Sequence, residues 1–556
     1  MGFFERFKPS GPLSAEREQA VLDEVRRLRE TQGSTRANSG SETRHRGASR
    51  MLRSMLSWLP GLGSPRQDNP TGERETLISR SRDAYRNHLL GRAAITRAAT
   101  NVVGMGLTVR PNVDAAALGI SEDDADEFND QLSRGFRLWA EDPLECDAEA
   151  ELDFYMLQRL AFVSALVSGD VFGFTPDEQR LGCLFGLKLQ LVEAERVGNP
   201  LGARALPNEA DGVRVDALGR ATHVNVCAGY PSDFGTRHTW QWVPVFGERT
   251  GRRRVLHLMN EKDRPGQVRG VPYLGPILEA LQKLERFTQA ELTAAVISAM
   301  FTVAITHENE EEDPGLGGST LWDQHSNDPN SPERPVVQSN RDHAPEGDNL
   351  QLGEGAVWDL EEGAKPVPIS PNRPNAQFDP FFVAVVKEIG AALEMPAEVI
   401  LMHFSTSYTA ARAAFNQLWK FVKQRRHHLS VQWCQPAYEL AVDEMVARGM
   451  ISLPGYSDPA RRRAYVRALW VGEPLGALNE LIDARASTER IANGTSNEHL
   501  ETMALHGEDW EDVHRDRVRE VQRKRADGVP LYIGGKVHED DDTDPPDPNR
   551  SNDDTD

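Results

Sequence analysis

Two adjacent histidines, His427 and His428, are the side chains whose type best suits metal chemistry in this sequence. Neighbouring residues of a helix point about 100° apart, and no third ligand follows at i+4 spacing, so solvated surface histidines are the favoured interpretation. A basic run interleaved with aromatic residues precedes them: Lys420, Lys423, Arg425 and Arg426. Such a run is usually a solvated face or an ion-pair surface between subunits, and contact with phosphate is the sharper alternative. We expect no metal site and no cofactor.

Motifs that serve catalysis are missing from the sequence. No G-x-x-x-x-G-K-[ST] loop is present to cradle a nucleotide, because 270–275 has the glycine spacing but Pro276 stands where the lysine is needed. The G-x-S-x-G motif of serine hydrolases, the H-E-x-x-H motif of zinc proteases and the EF-hand loop are also missing. We therefore expect that the protein is not an enzyme, and we interpret 270–275 as a turn before a long helix.

The charge of the chain restricts how it can touch nucleic acid. Its 556 residues include 63 basic and 85 acidic ones, and the net charge of -22 opposes binding of nucleic acid over the whole surface by phosphate neutralisation. Nine acids and one base stand in 539–556, and a solvating tail is the simplest interpretation of that segment. The length is enough for several domains.

Cysteine usage and hydropathy bear on the compartment of the protein. The four cysteines lie far apart with no C-x-x-C pair, which opposes a disulfide framework and a zinc ribbon and fits a reducing compartment. The longest apolar stretch, 292–306, is shorter than the roughly 20 residues that a bilayer core demands. We expect neither export nor membrane anchoring.

The periodicity of apolar residues predicts an α+β chain that is mainly helical. The predicted helices are 77–103, 121–139, 152–168, about 275–305, 377–393, 409–448 with a kink at Pro436, and several within 474–526. The predicted strands are 184–192, 212–215, 222–226, 255–258, 356–360 and 365–369, with a tight turn at 216–220. A short loop, 397–408, separates two of the helices.

The order of several short motifs carries a family resemblance. They are Asn101-Val-Val-Gly104-Met-Gly106; Cys146-Asp147; Leu157-Gln-Arg-Leu160; Ser168-Gly-Asp170; Val255-Leu-His-Leu258; Arg264-Pro-Gly-Gln267; Arg269-Gly-Val-Pro272; Ser407-Tyr-Thr-Ala-Ala-Arg412; Ala413 to Trp419; and Trp470 to Pro474. From residue 77 to about 527 the chain resembles the lambda-like family of bacteriophage portal proteins. The family often has Gly-Val-Pro where this chain has Glu394-Met395-Pro396, and the acidic excursion at 307–350 is interpreted as a lineage-specific insertion.

The resemblance implies a portal-type subunit with wing, stem, clip and crown that assembles into a homo-oligomeric ring of about twelve copies. The implied divisions are a mobile N-terminal arm (1–72), the wing (73–274), stem helix 1 (275–306), a clip with an acidic loop (307–376), stem helix 2 (377–395), the tunnel loop (396–408), a long helix with the connection between wing and crown (409–470), the crown (471–530) and a disordered acidic tail (531–556).

The resemblance also implies a structural function, with no catalysed reaction. Double-stranded DNA would be packaged and ejected through the ring at one capsid vertex, and the ring would nucleate head assembly and join head to tail. The implied partners are DNA held transiently and without sequence preference, the terminase large subunit at the clip, a head-tail adaptor, and the major capsid and scaffold proteins. The implied location is the virion, and the host cytoplasm during assembly.

Two sets of site residues follow. Residues of the tunnel loop would line the narrowest part of the channel: Met402, His403, Phe404, Ser405, Thr406, Ser407 and Tyr408. Candidate phosphate or inter-subunit contacts are Arg412, Lys420, Lys423, Arg425 and Arg426. The plainer interpretation is that Ser407 or Thr409 only caps the next helix, and both roles are compatible. The alternative functions are another head-tail connector or minor head protein, or a prophage-encoded nuclease or hydrolase.

Overall fold

A computed structural model describes the fold of most of the chain. The residues described are 63–65, 71–200, 206, 208–233, 238–300, 303–307, 364–368, 377–404, 407–474, 480–505, 507, 510–528, 531–533 and 536–538. The chain divides into two units, 1–64 and 65–556, and the account below concerns the second. Most of the predicted arm, most of the predicted clip with its strand at 356–360, and the acidic tail from 539 lie outside the described residues.

The described part is mainly helical, as predicted. The helices are α1 (Thr71–Asn87), α2 (Leu89–Val102), α3 (Ala115–Leu118), α4 (Glu122–Ala140), α5 (Pro143–Cys146), α6 (Phe154–Ser168), α7 (Leu278–Met300), α8 (Phe378–Ala392), α9 (Ala397–Leu401), α10 (Tyr408–Leu429), α11 (Gln435–Ala447), α12 (Pro459–Tyr465), α13 (Glu480–Ala492), α14 (Glu498–Leu505) and α15 (Trp510–Ala526). Ser121 begins α4 as predicted, because its hydroxyl accepts a hydrogen bond from the Asp124 N–H at 3.1 Å.

Small antiparallel sheets lie between the helices. The strands are β1 (Thr108–Pro111), β2 (Asp170–Phe174), β3 (Gln190–Glu193), β4 (Glu209–Ala210), β5 (Val213–Val215), β6 (Ala221–Cys227), β7 (Trp240–Pro244), β8 (Val255–Met259), β9 (Val303–His307), β10 (Ala364–Pro368), β11 (Ala468–Val471), β12 (Leu531–Ile533) and β13 (Lys536–His538). They form a four-stranded sheet β4-β5-β6-β7, a three-stranded sheet β3-β2-β8, and the pairs β1-β11, β9-β10 and β12-β13.

The main core lies where α4, α6 and α11 meet. The Phe136 ring is packed edge-on against Phe154 at 5.6 Å and Tyr438 at 5.3 Å between ring centroids. Trp139 is fully buried, and its indole N–H donates to the Leu187 carbonyl at 2.9 Å. Apolar positions at helical spacing on α4 predict this face, because residues three or four apart lie on one side of a helix.

The predicted helix 77–103 is wrong as one element, since it is broken at His88. That residue has an extended backbone and lies at the N-cap of α2, where its Nδ1 accepts from the Gly91 N–H at 3.3 Å. Its other ring nitrogen is 3.0 Å from the Leu281 carbonyl oxygen on α7. A Cβ at Gly91 would stand 2.8 Å from the Ala84 carbonyl oxygen, so glycine permits the close turn between α1 and α2.

Two further helix predictions need correction. The helix predicted to about 305 ends at Met300, and β9 then pairs with β10, from Val303 opposite Pro368 to His307 opposite Ala364. The β-branched run in 302–306 favours a strand once a partner strand is available. The helix predicted over 409–448 with a kink at Pro436 is interrupted by a π-helical turn, Ser430–Cys434, which ends two residues before that proline. Proline lacks an N–H, so a break in the regular hydrogen-bond ladder is favoured there.

The strand predictions were partly correct. The predicted strands 212–215, 222–226, 255–258 and 365–369 correspond to β5, β6, β8 and β10 within one or two residues, whereas regular pairing in 184–192 is confined to the end that enters β3. The predicted turn is confirmed, because Asp216 accepts hydrogen bonds from the Leu218 and Arg220 N–H groups and Gly219 has φ 87°. Several strands were not predicted: β1, β2, β4, β7, β9, β11, β12 and β13. The last two form a hairpin at the start of 531–556, the segment predicted to be a disordered tail.

A buried ion network joins the start of β2 to the segment before α7. Arg269 donates to both oxygens of the Asp170 carboxylate, at 2.7 and 3.0 Å, and the two side chains are 3% and 0% exposed. Arg269 also donates to the carbonyl oxygens of Ala194 and Val197. The Asp211 carboxylate forms ion pairs with both the Arg269 guanidinium and Arg74. Two of the short motifs that carry the family resemblance, 168–170 and 269–272, therefore meet in space.

Asp170 is expected to make the fold sensitive to acid. Burial favours the neutral carboxyl, but the charge of Arg269 and hydrogen bonds from His257 and Arg269 outweigh it and hold the pKa of Asp170 well below its usual range. A carboxyl with a lowered folded-state pKa stabilises the fold above its unfolded pKa of about 3.9, and this contribution is lost as the pH falls further.

Calorimetry as a function of pH tests this expectation. The Tm of the protein should fall below about pH 4, and Asp170→Asn, although less stable at neutral pH, should have a flatter profile in that range. The same steep acid profile in the wild type and in Asp170→Asn would show that other carboxylates set the acid limit.

Candidate functional site

An antiparallel pair of helices, α7 and α8, leads to the predicted tunnel loop. An aromatic cluster holds the pair together: the Phe287 ring lies 5.7 Å from Phe378 and 5.0 Å from Phe381 between centroids. Apolar side chains on both helices are nevertheless exposed, since Leu292 is 66% and Val296 49% exposed on α7, and Phe381 is 50% exposed on α8. Leu292 and Val296 are four residues apart and share one face of α7.

The turn after α8 is tightly fixed. Leu393 and Met395 are buried, and the Tyr273 hydroxyl donates to the Leu393 carbonyl. A Cβ at Gly390 would stand 2.5 Å from the Met395 carbonyl oxygen, so only glycine permits this close approach of backbone. Glu394 takes φ 54° at the reversal. The base from which the tunnel loop starts is therefore rigid.

The predicted loop 397–408 is wrong over its first part, which forms the short helix α9. Ala397, Val399 and Ile400 of α9 are buried. An apolar pattern over five residues is too short a signal to distinguish a helical turn from a loop. Met402, with φ 53°, ends α9 in the left-handed conformation.

The rest of the loop presents exposed side chains between two anchored ends. Met402 is 57% and Phe404 46% exposed, and His403 is exposed. The Phe404 ring lies 5.5 Å from Phe415 of α10 in a stacked arrangement. Ser407 caps α10, because its hydroxyl accepts from the Ala410 N–H at 3.4 Å, as the plainer interpretation predicted. Ser405, Thr406 and the side chain of Tyr408 lie outside the described residues.

Three of the predicted basic contacts are exposed on α10. Arg412 is 46% exposed and lies 3.9 Å from the Asp483 carboxylate of α13. Lys420 and Lys423 are exposed, and the Lys423 ammonium is 5.9 Å from the centroid of the Trp419 ring. These three side chains remain able to meet a neighbouring molecule.

Arg425 and Arg426 are engaged inside the subunit instead. Arg425 is 7% exposed and donates to the Asn260 carbonyl at 2.6 Å and to the Glu261 carboxylate at 3.0 Å. Arg426 donates to the Val102 carbonyl at 2.8 Å and to that of Asn101 at 3.0 Å, and burial lowers its pKa to about 10. Each partner is more than 150 residues away in sequence, so no local pattern indicates these contacts.

The two histidines take different environments. His427 is exposed, whereas the Nε2 atom of His428 lies 2.8 Å from the Met259 carbonyl, and burial lowers the pKa of His428. Within the described residues no cluster of three or more histidine, cysteine or acidic side chains has the arrangement of a metal site. No helix in that same part of the chain has both the length and the apolar character needed to span a membrane.

Comparison with known proteins gives consistent matches. The family model described as "Phage portal protein, lambda family" matches residues 52–426. Portal protein B of Escherichia phage lambda is 24% identical over 467 residues, which cover 81% of this chain and 84% of that protein. The portal protein of Escherichia phage N15 is 24% identical over 473 residues, with the same two coverages.

Solved structures of a gene transfer agent (GTA) also align with the chain. A chain of the structure titled "Neck of native GTA particle computed with C12 symmetry" aligns at 12% identity with a TM-score of 0.39, covering 79% of this chain and 95% of that one. A chain of "Virion of native gene transfer agent (GTA) particle" aligns at 15% identity with a TM-score of 0.36, covering 68% and 91%.

Proposed function

Because this chain belongs to the lambda family of phage portal proteins, we propose that copies of it assemble into a ring whose channel passes double-stranded DNA at one vertex of a capsid. The observation that carries the ring is the exposure of apolar side chains on the α7/α8 pair. Leu292, Val296 and Phe381 are each about half exposed or more in the single subunit. Exposed apolar side chains of this kind are covered in an assembly, and identical copies in a closed ring can cover them.

The proposed anatomy follows the order of the elements. The α7/α8 pair is the stem, β9 and β10 begin and end the clip, and residues 402–408 face the channel. Residues 73–274 form the wing, 409–470 the connection to the crown, and 471–530 the crown. The clip is the proposed contact for the terminase large subunit, and the ring also binds a head-tail adaptor, the major capsid protein and a scaffold protein in the virion.

The proposed contact with DNA is weak and independent of base sequence. Hydroxyl groups can touch phosphate oxygens without the counterion release that makes basic surfaces bind DNA tightly. Ser405, Thr406 and Ser407 supply such groups, and the fixed ends of the loop support its position. Arg412, Lys420 and Lys423 remain proposed contacts to phosphate or a neighbouring subunit. We leave out Arg425 and Arg426, because their donors are used within the subunit.

The loop can be tested by blocking the channel without removing the cap of α10. The double variant Ser405→Phe/Thr406→Phe keeps Ser407 and should still assemble into rings. The yield of DNA-filled particles should fall sharply, because the bulky phenylalanine side chains narrow the path of the DNA. The matched control, Ser405→Ala with Thr406→Ala, removes the hydroxyls without adding bulk and should package nearly normally. Filled and empty particles are counted by electron microscopy after infection or complementation. A normal yield of filled particles from the double phenylalanine variant would refute a channel position for the loop.

A second head-tail connector or minor head protein is the alternative function. It predicts that the protein joins particles only after DNA has been packaged. Particles assembled without the protein would then still fill with DNA, whereas the portal proposal predicts that they remain empty.

A further inference from the structure

The helix α15 carries a stripe of three arginines on one side. Arg515, Arg519 and Arg523 are spaced by four residues, so they lie within about 80° around the helix axis. All three are exposed, Arg515 by 42% and Arg519 by 71% of the side chain. Between 515 and 525 there are six basic and two acidic residues, a net charge of +4 in a chain whose total is -22. We call Arg515, Arg519 and Arg523 the arginine stripe.

Two arginines of the stripe, Arg519 and Arg523, are only weakly held within the subunit. Arg515 pairs with Asp130 at 3.0 Å, and Arg519 pairs with the highly exposed Asp516 at 3.3 Å. Arg523 makes no salt bridge to any residue that the structure describes. Exposed ion pairs contribute little and are screened by salt, so Arg519 and Arg523 remain able to bind a polyanion.

A strongly acidic segment of the same chain begins beside α15. After α15 the hairpin β12-β13 turns the backbone back, so that His538 pairs with Leu531 and β12 lies next to α15. Residues 539–556 start at that point and carry nine acids and one base, a net charge of -8. The stripe is about 12 Å long, since it spans eight residues at 1.5 Å each, whereas an extended segment of eighteen residues can reach roughly 60 Å. Distance therefore does not prevent contact.

We propose that residues 539–556, which we call the acidic tail, bind the arginine stripe of α15 and keep it from holding DNA. The charges are complementary, and the tail is always present at high local concentration because it is part of the same chain. Without this cover, each arginine that neutralises a phosphate would release counterions and add affinity that opposes sliding. The inference rests on the proposed function only in taking DNA as the polyanion to be kept away.

The experiment measures binding of the full-length chain to a DNA duplex by fluorescence anisotropy over a range of salt concentrations. In the first variant all nine acids of the acidic tail are replaced by their amides. DNA should then bind more tightly at low salt, and the slope of log K against log salt should steepen by about 2, because Arg519 and Arg523 are freed. The tail is then neutralised in a chain that also carries Arg519→Gln and Arg523→Gln. In that chain, neutralising the tail should have little effect on DNA binding.

In the matched control, Arg80→Gln and Arg86→Gln replace two exposed arginines of α1 instead. Neutralising the tail should then change DNA binding as much as it does in the otherwise wild-type chain. An equal effect of tail neutralisation with and without Arg519 and Arg523 would mean that the acidic tail only repels DNA through net charge, and would overturn the proposal. No effect in either background would overturn it too.

As a second measurement, a synthetic peptide of 539–556 added to the tail-neutral chain should compete with DNA, and a peptide without effect contradicts direct binding. Electron microscopy of the same variants shows separately whether rings form, so failure of the proposed function can be recognised independently.

Discussion

Leu292→Asp combined with Val296→Asp is expected to abolish ring assembly while leaving the subunit folded. Both side chains are about half exposed or more in the single subunit, so aspartate there remains hydrated and should change the free energy of unfolding by less than about 0.5 kcal/mol. In a ring, the same carboxylates would be buried against a neighbouring copy without a partner, which costs several kcal/mol at each interface. Because the interface recurs around the ring, the cost recurs with it.

Analytical ultracentrifugation and circular dichroism distinguish assembly from folding in this variant. We expect monomers with the helical content and Tm of the wild-type subunit. Leu181→Asp and Leu218→Asp serve as controls, since these leucines are strongly exposed on loops away from α7 and should leave rings intact. Rings of normal size and stability from the Leu292 and Val296 variant would show that the open side of α7 is not an interface.

Arg269→Met is expected to cause the largest loss of stability from a single substitution. It removes the cation that faces Asp170 and Asp211, two carboxylates that are buried in the fold. Breaking a buried ion pair from one side typically costs about 3–5 kcal/mol. Asp170 bears most of this cost, because Asp211 still pairs with Arg74. The hydrogen bonds to the carbonyls of Ala194 and Val197 are lost as well.

Urea unfolding measures this loss, with Arg80→Met on the exposed side of α1 as the matched control, expected within about 0.5 kcal/mol of wild type. Adding Asp170→Leu to Arg269→Met should restore part of the stability, because the double variant no longer buries that unpaired charge. Additive losses from Arg269→Met and Asp170→Leu would contradict the coupling between the two residues.

The most accurate predictions from the sequence concern elements whose structure depends on residues close together in the chain. The face of α4 with Phe136 and Trp139, the cap at Ser121 and the turn at 216–220 each depend on residues close together in the chain. The start of β9 and the break at His88 depend on distant partners, β10 and Leu281, and an apolar run alone cannot distinguish a helix from a strand that has found a partner.

The candidate site was predictable in position more than in detail. Motif order located the loop between α8 and α10, and residue type predicted a cap at Ser407 or Thr409, of which the structure has Ser407. The density of basic residues grouped Arg425 and Arg426 with Lys420 and Lys423, although the first two are bound within the subunit. Charge density along a helix does not tell which guanidinium groups turn inward, because the acceptors that hold them come from elsewhere in the fold.

Electron microscopy of the purified full-length protein tests the central claim most directly. The account predicts closed rings with an open central channel, in which the α7/α8 pair and residues 402–408 line the axis. Class averages viewed along the axis give the rotational symmetry without further assumptions. Monomers under every condition of concentration and salt, or assemblies without a central channel, would contradict the proposal that this chain forms a DNA portal.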